Sequence, residues 1–235
     1  MALNIYNGVP ETKQTIYDSY NNLVFSDDKR VFHKMTKKIE LYLDICKGQI
    51  FGDIVEFGVF KGGGLALWLK LRDMYEPHSL TKVIGFDFFD SEATINSLTP
   101  ENKELMKSVL ERVSNKDLSI EAVNSKLTNF NTENYSLIKG DAVKLSKEYY
   151  RKNIGAKIKI LYMDLDVGEP TYKILLQLWE HLSIGGIIIC DEYGFHSWDE
   201  TLGVDKFISN LDKGTYDLKN TNIISPTLII RKKKN

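Results

Sequence analysis

Cysteine and histidine are scarce in this 235-residue chain, with two of the first and four of the second. Cys46 and Cys190 lie far apart and lack metal-ligand spacing. They read as buried apolar side chains of a protein kept in a reducing compartment. With no Cys/His cluster, a zinc site is excluded. Neither sign of charge is in excess: 31 Lys plus Arg stand against 32 Asp plus Glu, a net charge of −1. Nucleic-acid binding needs a concentrated basic face and is not expected. The one basic run, Arg231-Lys232-Lys233-Lys234, reads as a solubilising tail. No stretch approaches the ~18 consecutive apolar residues of a membrane helix. The opening residues, MALNIYNGVPETK, show no basic-then-apolar leader layout, so the expectation is a cytoplasmic protein. Repeats, low-complexity tracts and Pro/Ser-rich linkers are missing. So are the G-x-S-x-G elbow, the Walker loop and any Cys–His pairing of a nucleophile.

What the chain does have is a change of period. At 43% hydrophobic and 27% charged it is composed like an ordinary globular protein. Residues 12–25 and 28–47 read as helices. In the second, Phe32, Met35, Ile39, Tyr42 and Cys46 recur at helical steps and Gly48 marks the stop. Residues 1–50 are therefore expected to form a helical extension, able to cover a site or to serve as a homodimer contact. From residue 53 the pattern alternates. Short apolar runs at Asp53–Phe57, Lys82–Asp87, Tyr135–Lys139, Ile158–Met163 and Ile187–Cys190 read as strands. Helices are expected near 170–182 and 199–211, and closing strands near 215–218 and 226–231. Near-continuous apolar strands separated by helices predict an α/β domain over 51–235. Its core would be a doubly wound, mostly parallel seven-stranded sheet. Residues 88–130 are too long for an ordinary βα loop and are expected to form an insertion of one or two helices, a candidate lid.

In such a sheet, ligands bind beyond the carboxyl ends of the strands. The first strand ends in Glu56-Phe57-Gly58-Val59-Phe60-Lys61-Gly62-Gly63-Gly64. Gly58 allows a sharp turn, and Gly62 and Gly63 let a ligand approach the backbone where a helix begins. The spacing is not G-x-G-x-x-G, and an acid ahead of the turn suits a ligand with an ammonium-bearing end better than a pyrophosphate. Asp87, closing the second strand, stands where an acid would accept from a ribose diol. Asp141, after the third strand, is placed to accept from an exocyclic adenine amine. Helix N-capping is the plainer role for either aspartate.

Glu56-x-Gly58, Asp87, Gly140-Asp141 and Leu182-Ser183-Ile184-Gly185-Gly186, in that order, resemble the class I S-adenosylmethionine-dependent methyltransferases. Val55–Gly63 is similar in particular to the macrocin (TylF-type) sugar O-methyltransferases. The likeness runs from about residue 30 to 210. It implies a Rossmann-like fold, S-adenosylmethionine as cofactor and a sugar hydroxyl as acceptor.

Two further strand ends carry acids: Asp164-Leu165-Asp166 after the fourth, Asp191-Glu192 after the fifth. Adjacent strands lie ~4.8 Å apart, so four carboxylates there repel one another unless hydrogen bonds or a cation offset them. A hard divalent ion with oxygen ligands is the simplest answer: Mg²⁺, with Mn²⁺ or Ca²⁺ as substitutes. The resemblance implies the same, with Asp164, Asp191 and Glu192 as metal ligands and Asp166 as general base. Three residues depart from the family pattern. Glu192 stands for an aspartate, Gly168 for an aromatic and Pro170 for a small hydroxyl residue, so the acceptor pocket is expected to differ. His196 is a further rim candidate, and a capping or surface role is the plainer one. Two other functions fit parts of the pattern: a metal-dependent glycosyltransferase using Asp164-Leu165-Asp166 as a D-x-D motif, and a non-enzymatic protein that keeps the cofactor fold.

Overall fold

The computed structural model describes residues 20–27, 29–111, 113–128, 134–194 and 199–234. Most of the expected helix at 12–25, and His196, fall outside them; residues 20–25 are helical. Helix α1 (Lys29–Lys47) leads into seven strands: β1 (Asp53–Phe57), β2 (Val83–Asp87), β3 (Tyr135–Lys139), β4 (Ile158–Met163), β5 (Leu182–Cys190), β6 (Tyr216–Asn220) and β7 (Leu228–Lys232). They form one sheet in the order β3-β2-β1-β4-β5-β7-β6. β3, β2, β1, β4 and β5 pair in parallel, and β7 joins antiparallel to both β5 and β6. Strand order reverses between β1 and β4, and the crevice opens there.

Alternation along the strands divides the core in two, because successive side chains point to opposite faces. Val55, Phe57, Phe86, Leu161, Met163 and Cys190 pack toward helices α7 (Ala142–Lys152), α8 (Gly168–Leu178) and α9 (Glu200–Ser209). Ile54, Val83, Ile160, Tyr162 and Ile189 pack toward α1, α2 (Gly63–Tyr75) and α6 (Ile120–Leu127). α1 is thus part of the main core, with Leu41, Tyr42 and Ile45 buried. Lys159, a buried charge in β4, is neutralised by Glu76 at 2.6 Å and bonded to Thr81 at 3.2 Å.

Several boundaries move from their sequence-based positions. The expected helix to 182 stops at Leu178, followed by a 3-10 turn over Trp179–His181. Leu182 instead opens β5, which takes in the Gly185-Gly186 segment. Among its described residues the 88–130 insertion holds four helical segments rather than one or two: α3 (Ser91–Ser97), α4 (Pro100–Leu110), α5 (Asn115–Leu118) and α6. Met106, Leu110 and Leu118 form a small core of their own there. Among the described residues no helix is long and apolar enough to cross a membrane.

Candidate active site

A cavity of about 670 Å³ opens at the carboxyl ends of the parallel strands. Its walls include Gly58 after β1, Asp87 at the end of β2, Gly140 and Asp141 after β3, and Asp164 and Asp166 after β4. Lys34 reaches it from α1, and Leu98, Met106 and Leu118 cover it from the insertion. The insertion thus lines one side of the site, with Thr94, Ser97 and Asn102 beside those apolar side chains.

The turn after β1 is held by Asp87. Its Oδ2 accepts from the backbone N–H of Val59 (2.7 Å) and Phe60 (2.9 Å), and Oδ1 from Phe89 (2.9 Å). Asp87 therefore caps the Gly58 turn, not a helix. A carboxylate accepts about four hydrogen bonds, so one direction is left for a hydroxyl entering the cavity. Asp141 does cap a helix, with Oδ1 accepting from Val143 and Lys144 at the start of α7, while also lining the cavity. At Gly63 nothing stands within 4 Å of an added Cβ, whereas one at Gly62 would meet Val123 at 2.8 Å, and neither glycine is among the cavity's walls. The cradle fits the donor cofactor.

Glu56 lies elsewhere than the expectation of a ligand-facing acid had it. It is 2% exposed and accepts from Trp68 Nε1 at 2.7 Å beneath α2. Its charge is matched by Lys38 of α1, 3.8 Å away, whose ammonium sits 3.6 Å from the Tyr162 ring centroid. Burial pushes the Glu56 carboxyl upward, against the pull of Lys38 and Trp68. The cationic partner of this acid is thus supplied by the chain. Gly64 makes room for it: a Cβ there would stand 2.1 Å from the Glu56 carboxylate.

Asp166 occupies a left-handed conformation at φ 64°, a position rare for a residue other than glycine. Phe60 and Phe89, on the β1 and β2 turns, share it at φ 52° and 51°. Strain of this kind costs about 1–3 kcal/mol per residue and collects at functional sites. Glu200 of α9 over-determines the Asp166 turn, accepting from the N–H of Leu165 (3.3 Å) and Asp166 (3.0 Å). Asp199 likewise accepts from Gly168 N–H at 2.8 Å. Burial, then Glu192 and Asp191, push the Asp166 carboxyl up to about 7, with Lys34 acting in opposition.

Glu200 was not singled out by the sequence, where an acid opening a helix reads as a dipole partner. It is fully buried, and its Oε1 has no hydrogen-bond partner. Burial and the nearby Asp164 and Asp166 hold its carboxyl well above the usual range. The unfolded chain ionises at its ordinary value, near ~4.3, so this group's contribution to stability falls as pH rises above that. Glu200→Gln removes the titration and is expected to stabilise the fold relative to wild type at pH 8. Denaturant unfolding should show that gain shrinking toward pH 4.

Asp164 and Asp191 do come together across β4 and β5, and a side chain of the protein lies between them. Lys34 Nζ stands 2.9 Å from Asp164 Oδ2 and 2.7 Å from Asp191 Oδ2. Burial opposes the ammonium's charge, and the two carboxylates outweigh it, raising its pKa. Asp191 Oδ1 accepts from the Tyr162 hydroxyl. Among the described residues, no three Asp, Glu, His or Cys side chains converge as a metal cluster. Carboxylate oxygens are the right donors for Mg²⁺. With an ammonium on one oxygen of each and a phenol on another oxygen of Asp191, however, Asp164 and Asp191 do not fit the ion as they stand.

A doubly wound sheet with this strand order, a glycine turn pinned by the acid ending β2, and a cofactor-sized cavity above it define a class I S-adenosylmethionine-dependent methyltransferase. Solved structures share the fold. CalS11, described as a TDP-rhamnose 3'-O-methyltransferase of calicheamicin biosynthesis, superposes with a TM-score of 0.65 at 22% identity, covering 95% of this chain and 87% of its own. The O-methyltransferase NovP does so at 0.66 and 19%, covering 86% and 80%. No curated relative matches the chain. The family model for macrocin-O-methyltransferase (TylF) matches residues 28–212, and the chain belongs to that family of O-methyltransferases.

Proposed function

We propose that the protein methylates a hydroxyl of a sugar, carried on a glycoside or linked to a nucleotide, using S-adenosylmethionine. One observation carries this reading: Asp166, a buried carboxylate with a raised pKa, shares one cavity with the Gly58 turn and Asp87. Bound in that cradle, S-adenosylmethionine supplies a methyl group made electrophilic by its sulfonium. Asp87 has one acceptor direction left for a ribose hydroxyl, and Gly58 and Phe60 line the same cavity beside it. Leu98, Met106 and Leu118 supply apolar surface on the insertion side of the cavity. Asp166 takes the proton of the acceptor hydroxyl. At about 7 its carboxyl is better matched to that task than an ordinary aspartate near ~4. The remaining contribution is positioning, because in-line transfer needs oxygen and carbon within ~3–3.5 Å. The sugar acceptor is supported by family membership and by the TDP-rhamnose activity named for CalS11.

A glycosyltransferase would need Asp164 and Asp166 to grip a metal-bound sugar nucleotide, and Asp164 is bonded to Lys34. Calorimetry with S-adenosylhomocysteine, UDP-sugars and GDP-sugars separates the two readings. The first ligand is expected to bind and the sugar nucleotides not to compete with it. Mass spectrometry across nucleotide-sugars and glycosides should find a product heavier by one CH₂. Failure to bind S-adenosylhomocysteine would overturn the reading. Asp87→Ala is expected to weaken that binding by about 10- to 150-fold, the scale of one charged hydrogen bond of about 1.5–3 kcal/mol.

A further inference from the structure

We infer that Lys34 is the resident cation of this active site: its ammonium holds the position between Asp164 and Asp191 that a divalent ion would otherwise fill, and donates to the acceptor oxygen. The second half rests on the methyl-transfer reading; the first stands on geometry alone. The ammonium bonds one oxygen from each of two neighbouring strand ends, at 2.9 and 2.7 Å. It is also a wall of the reaction cavity, beside Asp164 and Asp166.

The element that delivers it is fixed. Leu41, Tyr42 and Ile45 of α1 are buried in the core, and Lys38, one turn beyond Lys34, is buried against Glu56 and the Tyr162 ring. Lys34 is therefore presented by a packed helix that belongs to the same core as β1 and β4. Its neighbours account for the charge. Lys38 is held by Glu56, and Lys34 is the ammonium that bonds directly to Asp164 and Asp191. A divalent ion bound to the same oxygens would sit within a few ångströms of the ammonium, and the two cations would repel strongly at that range.

An ammonium carries three N–H donors and no acceptor. Two point to Asp164 and Asp191, and the third is available to an oxygen in the cavity. As the acceptor's O–H bond breaks, its proton passes to Asp166. The oxygen forms its bond to the methyl carbon as the carbon–sulfur bond breaks, and neutral S-adenosylhomocysteine leaves. Lys34 keeps all three protons throughout and stabilises the developing alkoxide electrostatically, the role otherwise given to a metal.

The test is Mn²⁺ binding to the full-length protein, followed by the loss of the free-ion electron paramagnetic resonance signal. The wild type is expected to take up no ion at this site. Lys34→Met should gain one Mn²⁺ per chain, with affinity raised about tenfold or more by removal of the competing charge. The double variant Lys34→Met/Asp191→Asn should lose it again. Lys34→Arg, which keeps the charge, should still exclude the ion. Retained S-adenosylhomocysteine affinity shows that each variant is folded, and Lys34→Gln serves if the methionine variant is not.

A wild-type Mn²⁺ site that Asp191→Asn abolishes overturns the inference. So does a folded Lys34→Met or Lys34→Gln protein that gains no ion, because Lys34 would then not be what excludes it. Once an acceptor is found, wild-type turnover should be unchanged by EDTA, and loss of turnover restored by Mg²⁺ would also overturn it. A protein that binds no S-adenosylhomocysteine would refute methyl transfer while leaving the Mn²⁺ result standing.

Discussion

Asp166→Asn is expected to lower kcat by about 10²–10⁴-fold, the usual contribution of a positioned general base, with little change in S-adenosylhomocysteine affinity. The substitution is nearly isosteric. The left-handed turn that presents residue 166 is fixed by the Glu200 bonds to the backbone N–H groups, which the amide leaves in place. What disappears is the only capacity the reading requires of this side chain, accepting a proton. Because the Asp166 carboxyl stands at about 7, wild-type kcat should fall below that pH as the base becomes protonated and level off above it. In Asp166→Asn that inflection should be missing. Near-normal turnover, or a parallel loss of cofactor affinity, would show that the residue has another role. Calorimetry and single-turnover mass spectrometry distinguish these outcomes.

Gly58→Ala should produce the largest structural effect. Gly58 has φ 85°, where an L side chain costs about 1–2 kcal/mol. A Cβ there would also lie 1.8 Å from the carbonyl oxygen of Asp164, a backbone atom of the neighbouring strand end. Such an overlap is relieved only by parting β1 from β4 where the crevice opens. The two effects together reach about 4–5 kcal/mol, the range kept for severe single substitutions. At about 2–4 °C per kcal/mol for a chain of this size, the melting temperature should drop by roughly 10–20 °C. Cofactor affinity should fall with it, since the Val59 and Phe60 N–H groups that Asp87 holds would move. A melting temperature within a degree of wild type would mean the turn is softer than its geometry implies.

The sheet was legible because its strands are near-continuous apolar runs, bounded by glycine or by acids at their carboxyl ends. β1, β3 and β4 fall where the sequence put them. β5 was read short because its apolar run begins only at Ile187, whereas the strand starts at Leu182 and pairs with β4 on either side of an irregularity at Gly185-Gly186. The insertion's starts were present as local signals that were passed over. Asp90 and Ser119 accept from the first turns of α3 and α6, and Pro100 opens α4. The acids of the site could be read from their positions at strand ends. Their partners could not. Nothing in the lysine-rich stretch of α1 distinguishes Lys34 and Lys38 from a solvated face, because what selects them is the distant placement of Glu56, Asp164 and Asp191. Glu200 acts through backbone N–H groups 34 and 35 residues away. Gly168 replaces the family's aromatic where α9 approaches closely: an added Cβ would stand 2.5 Å from the Asp199 carbonyl oxygen.

The helix ahead of the sheet has a consequence for how this chain could be divided. A cut at residue 51 leaves all seven strands and looks like a clean excision of the catalytic fold. It would nonetheless strip the outer wall from Ile54, Trp68 and Tyr162, leave the Glu56 charge stranded under α2, and let Asp164 and Asp191 face each other bare. What reads as an appendage in the linear order is, in three dimensions, one side of the reaction chamber.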